Sequence, residues 1–467
     1  MSPNVISTIV EKDLCVGCGL CAAMCPEYKL AMQFNNFGEY NPVQNKECVK
    51  ECGLCLKVCP FADGNDNEDT LGKILYGSIP GICHRSETGY YLDSYVGYAP
   101  ETRCNGASGG MATWLLSTMV KQGIVDHVIA VVPNEDPDRL FRFAILSDPA
   151  SVTASAGSVY YPVELSGVLK EIRSRPGKYA VIGLPCYIKA VRLAAQRNRE
   201  LKERIVFTFG LVCGQMKSKF YTDYLSVISG VVPPLKKVHY RGKSSKKPSS
   251  FFYYSCENKN GDTGKVFYNE GVSRVWSNRW FTLSACNYCD DVYAECADVV
   301  FMDAWLPEYI PDYKGVNLLL LRSAAVKEIF DEGIKSGKIC IDHIPVQELI
   351  ESQEGIIHDK KDHLAYQLYL NRKNSLPCPV KRVEPKNIWM APFQKREIKL
   401  KEQMRIISRD LWTGENKNGM YNREKIDRAM AYRLTQLRMG RKILDLFNFP
   451  VQVYRFIQRK IRSRAHG

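Results

Sequence analysis

Eight cysteines within the first sixty residues constrain this 467-residue chain more than any other feature. The stretch CVGCGLCAAMCP, residues 15–26, spaces four of them as C-x2-C-x2-C-x3-C before a proline. The stretch CVKECGLCLKVCP, residues 48–60, nearly repeats this arrangement, with one additional residue between its first two cysteines. Cysteines with this spacing hold cubane clusters of four irons and four sulfides. The pattern therefore predicts two 4Fe–4S clusters near the start of the chain.

In such paired motifs, three closely spaced thiolates bind three irons of one cubane, and the fourth ligand comes from the other motif. The first predicted ligand set is Cys15, Cys18, Cys21 and Cys59. The second is Cys48, Cys52, Cys55 and Cys25. A pair of zinc knuckles is the alternative, which the Cys-Pro endings of both motifs disfavour. Residues 1–62 thus resemble a two-cluster ferredoxin domain of the α+β class.

Composition indicates an ordinary globular protein, because 45% of the residues are apolar and 24% are charged. The first residues lack a signal-peptide pattern, and the longest apolar runs fall short of the roughly 18 residues that suggest a membrane span. We therefore expect a cytoplasmic protein. In a reducing compartment its 18 cysteines would serve metal or redox chemistry rather than disulfides.

An α/β domain is predicted after the second motif. Residues 63–72 form an acidic stretch without periodicity, which we interpret as a linker. Strand-like and helix-like segments alternate over residues 73–375, and such alternation indicates an at least partly parallel sheet. The clearest segments are the helices MATWLLSTMVKQG and VELSGVLKEIR and the strands VDHVIAVV, YAVIG and RIVFTFGLVC.

Four later cysteines are predicted to hold a third cluster. Cys186 lies in the first turn of a helix, where free backbone N–H groups and the helix dipole favour a thiolate. Cys213 ends the next strand, and functional crevices of open α/β sheets lie beyond the carboxyl ends of the strands. Cys286 and Cys289 have the two-residue spacing of metal ligands. A buried core cysteine is the alternative for each one singly, and Cys296 is the substitute ligand.

A glycine-rich turn precedes the helix MATWLLSTMVKQG. Ser108, Gly109 and Gly110 place bare backbone N–H groups at the start of this helix, an arrangement that suits a phosphate or pyrophosphate. A tight turn without a ligand is the alternative.

Five motifs then add up to a family resemblance. Over roughly residues 70–350, SGG, GSVYYPVEL, GLPCYIKAVR, LVCG and CNYCDDVYAECADVVFMDAW follow in the order seen in the beta-subunit family of coenzyme F420 hydrogenases and dehydrogenases. The resemblance implies a flavin, normally FAD, bound by the α/β domain beside a cubane. It assigns to the flavin motifs Ser108, Gly109, Gly110, Gly157 and Ser158. It assigns to the family's thiol positions Cys186, Cys213, Cys286 and Cys289.

Two residues depart from the family pattern. Tyr187 stands where family members often have glutamine, and Met302 replaces a frequent glycine. Both changes bear on the identity of the substrate more than on cofactor binding.

These parts imply an FAD-dependent iron–sulfur oxidoreductase that couples two-electron hydride chemistry to one-electron transfer. Its reacting partner would be a small-molecule substrate, a deazaflavin or a ferredoxin. The alternative is a subunit without its own substrate that relays electrons between a ferredoxin and a partner complex. Family analogy also suggests polysaccharide or other surface-glycan synthesis. No histidine sits in a catalytic constellation, so we assign no catalytic residue.

The C-terminal extension, residues 376–467, is basic and predicted to be largely helical. Residues 381–467 hold 22 Lys/Arg and 8 Asp/Glu, whereas the rest of the chain holds 42 of each. An apolar face flanked by basic side chains suits an anionic membrane surface. Packing against the chain's own domain is an equally weighted alternative, and nucleic-acid binding is not expected, because no known nucleic-acid-binding fold accompanies the charge. The residues of that apolar face are Val453, Phe456, Ile457 and Ile461.

Overall fold

The computed structural model describes residues 3–48, 52–413 and 422–442. Its strands, in chain order, are β1 Leu30–Phe34, β2 Tyr40–Gln44, β3 Cys83–Arg85, β4 Gly89–Tyr91, β5 Asp93–Tyr98, β6 His127–Pro133, β7 Phe141–Leu146, β8 Tyr179–Gly183, β9 Ile205–Leu211, β10 Leu235–Gly242, β11 Tyr253–Asn258, β12 Thr263–Phe267, β13 Val299–Asp303, β14 Asn317–Leu321 and β15 Cys340–His343.

The α-helices are α1 Leu20–Met24, α2 Leu54–Lys57, α3 Glu68–Tyr76, α4 Met111–Lys121, α5 Pro149–Ala154, α6 Ser166–Ser174, α7 Pro185–Ala195, α8 Arg199–Arg204, α9 Lys219–Ile228, α10 Val272–Ser277, α11 Ala324–Lys335, α12 Val346–Ser352, α13 Glu354–His358, α14 Leu364–Lys373, α15 Pro392–Trp412 and α16, residues 422–442. Shorter helical turns span Ile6–Val10, Ser249–Phe251, Tyr268–Glu270, Ser284–Tyr288 and Asp359–His363.

The N-terminal unit wraps its cysteine motifs around two short helices. Helices α1 and α2 each follow a left-handed glycine, Gly19 at φ 81° and Gly53 at φ 57°, a conformation that glycine adopts without steric cost. Strands β1 and β2 pair antiparallel between the motifs. The segment 63–72, expected to be a linker, contains the start of α3, which Asn67 caps by accepting a hydrogen bond from the Thr70 N–H.

A mixed eight-stranded sheet forms the centre of the molecule, in the order β15-β5-β14-β13-β9-β8-β6-β7. Strands β13, β9, β8 and β6 run parallel, and the outer strands pair antiparallel. This confirms the partly parallel sheet expected from the alternation of segments. Gly183 of β8 pairs with Gly210 of β9, so the carboxyl ends of these strands lie at the same edge.

The two faces of the sheet carry different cores. In β14, Leu318 and Leu320 face a core shared with α6, α7 and the N-terminal unit. Leu319 and Leu321 face the opposite core, which contains α4 and α11. Alternate residues of a strand point to opposite faces, and β14 is buried on both. The cysteine-rich N-terminal unit therefore sits directly against one face of the central sheet.

A third core joins the small sheet β10-β11-β12 to the C-terminal helices. Tyr224, Trp280, Met404 and Met430 pack together there. Helix α15 also reaches the N-terminal unit, because Arg409 pairs with Asp13 and Glu39. The C-terminal extension is thus helical through α15 and α16 and packed on the body.

The face predicted to meet a membrane, around Val453 and Phe456, lies outside the described residues. Among the residues that the structure describes, no helix combines the length and the apolar character needed to cross a membrane.

Candidate functional site

The first N-terminal ligand set is a buried group of mutually interacting thiols. Burial raises the pKa of Cys18, and the nearby Cys59 and Cys15 raise it further. Burial likewise raises the pKa of Cys21 well above its ordinary value, with Cys18, Cys15 and Cys59 adding to the effect. Neutral thiols are favoured here only without metal, since coordination to a cation deprotonates a thiol outright.

The second set lies closer to solvent. Cys48 is exposed, and Cys25, Cys52 and Cys55 are half-buried. Burial raises the pKa of Cys55, and Cys48 and Cys52 add to this. Cys25 accepts a hydrogen bond from the Lys29 N–H at 3.3 Å. The two sets therefore differ in exposure.

The four later cysteines converge into a separate inner thiol group, consisting of Cys186, Cys213, Cys286 and Cys289. Burial raises the pKa of Cys186 well above its usual value, and the other three thiols are the next largest contributors. Burial raises the pKa of Cys213 to about 12, opposed by Lys360 and reinforced by Cys286 and Cys289. Cys296 lies elsewhere, because the charged groups acting on it are Glu68, Asp291, Lys189 and Glu295.

Local structure explains this convergence. Pro185 starts α7, so Cys186 falls in the first helical turn, as the sequence predicts. Strand β9 ends at Leu211, two residues before Cys213, whose N–H donates to Val292 O at 3.3 Å. The turn Ser284–Tyr288 presents Cys286, which accepts a hydrogen bond from the Met216 N–H at 3.2 Å.

A buried lysine that the sequence did not reveal completes the group. Lys360 Nζ donates to Cys289 Sγ at 3.0 Å and to Asp291 O at 2.5 Å. Burial lowers the pKa of Lys360, but Cys289 and Cys213 outweigh it, and the pKa stands above its ordinary value. Lys360 occupies a π-helical turn in the polar run HDKKDH, where a lysine would normally be expected in solvent.

The first N-terminal set adjoins the inner thiol group. Cys18 is among the thiols that raise the pKa of Cys186, and Cys18 O accepts a hydrogen bond from the Leu165 N–H at 3.0 Å. Tyr187 OH donates to Val163 O at 2.6 Å and lies 3.4 Å from Val16 O. The loop that carries the first set is therefore fastened beside Cys186.

None of these groups is arranged to bind one ion. Within the described residues, no cluster of three or more His, Cys, Asp or Glu side chains could hold a metal ion. A cubane makes a different demand, because its four thiolates surround an inorganic core instead of converging on one atom.

A cavity of about 530 Å³ opens at the carboxyl edge of the sheet. Cys213 of the inner thiol group lines it, together with Tyr187 and Met302, the two departures from the family pattern. Of the predicted flavin residues, those that line it are Ser108, Gly110, Gly157 and Ser158. The cavity therefore touches both the thiols and the glycine-rich turn.

Gly109 plays a packing role in that turn. A Cβ on Gly109 would come within 2.7 Å of Gly97 O and 2.8 Å of Asn317 N, so its small size lets the turn sit against β5 and β14. Gly110, at φ 78°, precedes α4. Ser108 Oγ donates to Val316 O at 2.7 Å. The turn thus presents its backbone, rather than the Ser108 hydroxyl, at the start of α4.

The lining of the cavity also combines aromatic rings with a buried arginine. Arg241 donates to both carboxylate oxygens of Asp303, at 3.0 and 3.1 Å, and its guanidinium lies 4.2 Å from the centroid of the Phe252 ring. Arg241 Nε is buried and has no hydrogen-bond partner within the described part of the chain. Tyr160 and Trp276 stand 4.7 Å apart, centroid to centroid. Flat apolar surfaces with one available donor suit a planar heteroaromatic ligand.

Lys217 also lines the cavity, although sequence reasoning did not single it out. Its Nζ donates to Trp280 O, Thr282 Oγ1 and Gln215 Oε1 at 2.8 to 3.1 Å. Burial, reinforced by Arg279, lowers the pKa of Lys217 well below its ordinary value. A lysine of this kind loses its proton more readily than one in solvent.

Models of known protein families match three parts of this chain. A 4Fe-4S dicluster model matches residues 14–62. Two models described as coenzyme F420 hydrogenase/dehydrogenase, beta subunit, match residues 94–170 for the N-terminal part and 177–347 for the C-terminal part. The chain belongs to this beta-subunit family. It carries a 4Fe–4S dicluster domain in front, and it is an iron–sulfur oxidoreductase of an FAD-binding family.

Three individual proteins resemble this beta-subunit family member. One subunit of the F420H2 dehydrogenase from Methanosarcina mazei is 22% identical over 357 residues, covering 74% of this chain and 90% of the relative. An uncharacterised protein of Methanocaldococcus jannaschii is 24% identical over 230 residues, covering 45% and 62%. A chain of the F420-reducing NiFe hydrogenase complex from Methanosarcina barkeri covers 64% of this chain and 98% of its own length, at 17% identity and a TM-score of 0.49.

Proposed function

We propose that this protein exchanges hydride with a small molecule at an FAD held in the 530 Å³ cavity, and that three 4Fe–4S clusters connect this site to a one-electron partner. Cys213 carries the proposal, because it belongs to the inner thiol group and also lines the cavity. When bound, the flavin supplies two-electron chemistry and the cubanes supply one-electron chemistry.

The cavity residues divide the binding of such a flavin between them. The backbone before α4, at Gly110, would receive the pyrophosphate, because N–H groups at a helix start are free to bind anions. Tyr160 and Trp276 would flank a flat ring system, and Arg241 Nε would supply a hydrogen bond that has no acceptor among the described residues. Gly157, at φ 125°, would leave room for the ligand, since a Cβ there meets nothing within 4 Å.

The thiols form a path from the surface to the cavity. The second N-terminal set includes the exposed Cys48, the first set is mostly buried, and Cys18 links the first set to Cys186. An external one-electron partner would therefore exchange electrons at the second N-terminal cluster. A ferredoxin is the expected class of partner.

A relay subunit is the second candidate function. A similar protein that covers most of this chain is named as one subunit of a dehydrogenase, which favours assembly with further chains. The hydride partner proposed from the family description is coenzyme F420. Neither the described contacts nor the comparisons support a role in glycan synthesis.

Membrane attachment through the basic tail is a separate proposal. Deletion of residues 450–467 is expected to reduce binding to vesicles that contain phosphatidylserine, with iron and flavin content unchanged. Failure of the intact protein to bind such vesicles at low salt would refute the attachment.

A matched pair of glycine variants tests the flavin site. Gly157 and Gly123 both have positive φ, at 125° and 67°, and both have open space where a Cβ would stand, but only Gly157 lines the cavity. We expect Gly157→Val to lose FAD, measured by the flavin released on heating, whereas Gly123→Val keeps it. Equal FAD occupancy in both variants would place the flavin elsewhere.

Turnover by the isolated chain distinguishes the two functions. With reduced coenzyme F420 as hydride donor and methyl viologen as one-electron acceptor, an enzyme turns over steadily. A protein that contains FAD and all three clusters but gives no turnover would be the relay subunit.

A further inference from the structure

A small pocket of about 50 Å³ lies beside the inner thiol group, where Cys286, Lys360 and Arg279 line it. We call it the thiol-side pocket. Both cations act electrostatically on Cys286, lowering the pKa of a thiol that burial raises. A positively charged environment at one cluster is a means of setting its reduction potential.

The position of Lys360 places its ammonium group against the inner thiols. Only 4% of Lys360 is exposed, and its Nζ contacts Cys289 Sγ at 3.0 Å while Asp291 O accepts a second hydrogen bond. Asp291 O is a neutral carbonyl, and the Asp291 carboxylate acts on Lys360 less strongly than the thiols of Cys289 and Cys213 do. The ammonium group therefore points its charge at the thiol group.

Arg279 is the second cation and has two unpaired donors. Its backbone is held at φ 61°, and its Nε and Nη2 are buried without a hydrogen-bond partner in the described part of the chain. Asp359 interacts electrostatically with Arg279, but the Asp359 carboxylate already pairs with His363 Nδ1 at 2.7 Å. Buried donors normally find an acceptor, and the sulfurs of a cluster at Cys286 would provide one.

The other charged groups of the thiol-side pocket have ion-pair partners. Lys401 pairs with Glu397 at 3.1 Å, and Glu402 pairs with Arg405 at 2.8 Å. These pairs compensate their own charges. Among the described residues of the pocket, Lys360 and Arg279 thus remain as the cations directed at the inner thiols.

We infer that Lys360 and Arg279 raise the reduction potential of the inner cluster. Reduction adds one negative charge to a cluster, and nearby cations with hydrogen bonds to its sulfurs stabilise the reduced form. Both residues would act on the potential of the cluster and not on the substrate. The inference rests on the inner cluster of the proposed function.

Potentiometric titration followed by EPR of the anaerobic full-length protein tests this inference. We expect Lys360→Met to reduce the equilibrium constant for reduction of the inner cluster at least tenfold, which is a negative shift of about 59 mV for one electron. The N-terminal clusters should keep their potentials. Lys360→Arg retains the charge and should stay near the wild-type value.

Lys361→Met is the matched control. Lys361 is the next residue in the chain, but its Nζ donates to Ser86 O at 2.8 Å, away from the thiols. Its removal should leave all potentials unchanged. An equal shift in Lys361→Met and Lys360→Met would overturn the inference, because the effect would then be one of overall charge.

Arg279→Gln decides the case if Lys360→Met fails to assemble the cluster. A negative shift in Arg279→Gln supports the inference, and an unchanged potential overturns it. An unchanged inner-cluster potential in Lys360→Met with full iron content also overturns it. Absence of a third cluster from the wild-type protein would instead overturn the proposed function, and iron content separates these two failures.

Discussion

The N-terminal thiols and the inner thiols reach their sites by different routes. In the N-terminal unit, short motifs wrap the short helices α1 and α2, so spacing along the chain brings the ligands together. In the inner thiol group, Cys186 and Cys289 are about a hundred residues apart in sequence and meet because strand ends and a turn share one edge of the sheet. A local pattern makes the first kind of site, and the tertiary fold makes the second.

Their surroundings differ as well. The groups acting on Cys15 include the carboxylates of Glu39 and Asp13, whereas Cys286 is acted on by Arg279 and Lys360. The inner thiols also border the cavity through Cys213. These differences would suit the N-terminal clusters to electron delivery and the proposed inner cluster to exchange with a cavity ligand.

Iron content gives the largest expected effect. Cys289→Ala should lower iron from about twelve to about eight atoms per chain, because three thiolates seldom hold a cubane, while the N-terminal clusters remain. Cys296→Ala is the control, since Cys296 lies among carboxylates and Lys189 instead of thiols. Loss of iron in Cys296→Ala but not in Cys289→Ala would show that Cys296, and not Cys289, is the cluster ligand.

Exposure should set the order in which clusters are lost to a chelator after mild oxidation. The second N-terminal cluster is expected to go first, because Cys48 is exposed, and the inner cluster last, because Cys286 is buried. EPR spectra recorded during the treatment distinguish the clusters. Early loss of the inner signal would show that the cavity admits solvent to it.

Tyr187→Phe is the mildest of these changes. It removes the hydroxyl that donates to Val163 O at 2.6 Å beside the loop of the first set, and the expected loss is about 1 kcal/mol in the free energy of unfolding. Denaturant unfolding under anaerobic conditions measures it. A change of iron content in this variant would contradict a purely packing role for the hydroxyl.

The sequence could predict what depends on local pattern. The spacing of Cys15, Cys18, Cys21 and the later motif predicts the dicluster domain, which the family comparison confirms. The helix at Met111 and the strand YAVIG also lie where hydrophobic periodicity placed them. Such features follow from residues near one another in the chain.

Features that depend on the tertiary fold could not be predicted. Lys360 lies in a polar run, and only the packing of its π-helical turn against Cys289 buries it. Arg279 gave no signal in the sequence, because only the fold places it, with a left-handed backbone, in the lining of the thiol-side pocket. The sequence predicts that Gly109 approaches a ligand. In the structure a glycine is needed there because a Cβ would clash with Gly97 and Asn317.

One measurement tests most directly whether the inner thiol group links the cavity to the N-terminal clusters. Reduced coenzyme F420 is mixed anaerobically with the wild-type protein and with Cys289→Ala, and flavin and cluster absorbance are followed together. We expect both to bleach in the wild-type protein and the flavin alone to bleach in Cys289→Ala. Bleaching of the N-terminal clusters at the wild-type rate in Cys289→Ala would contradict the account.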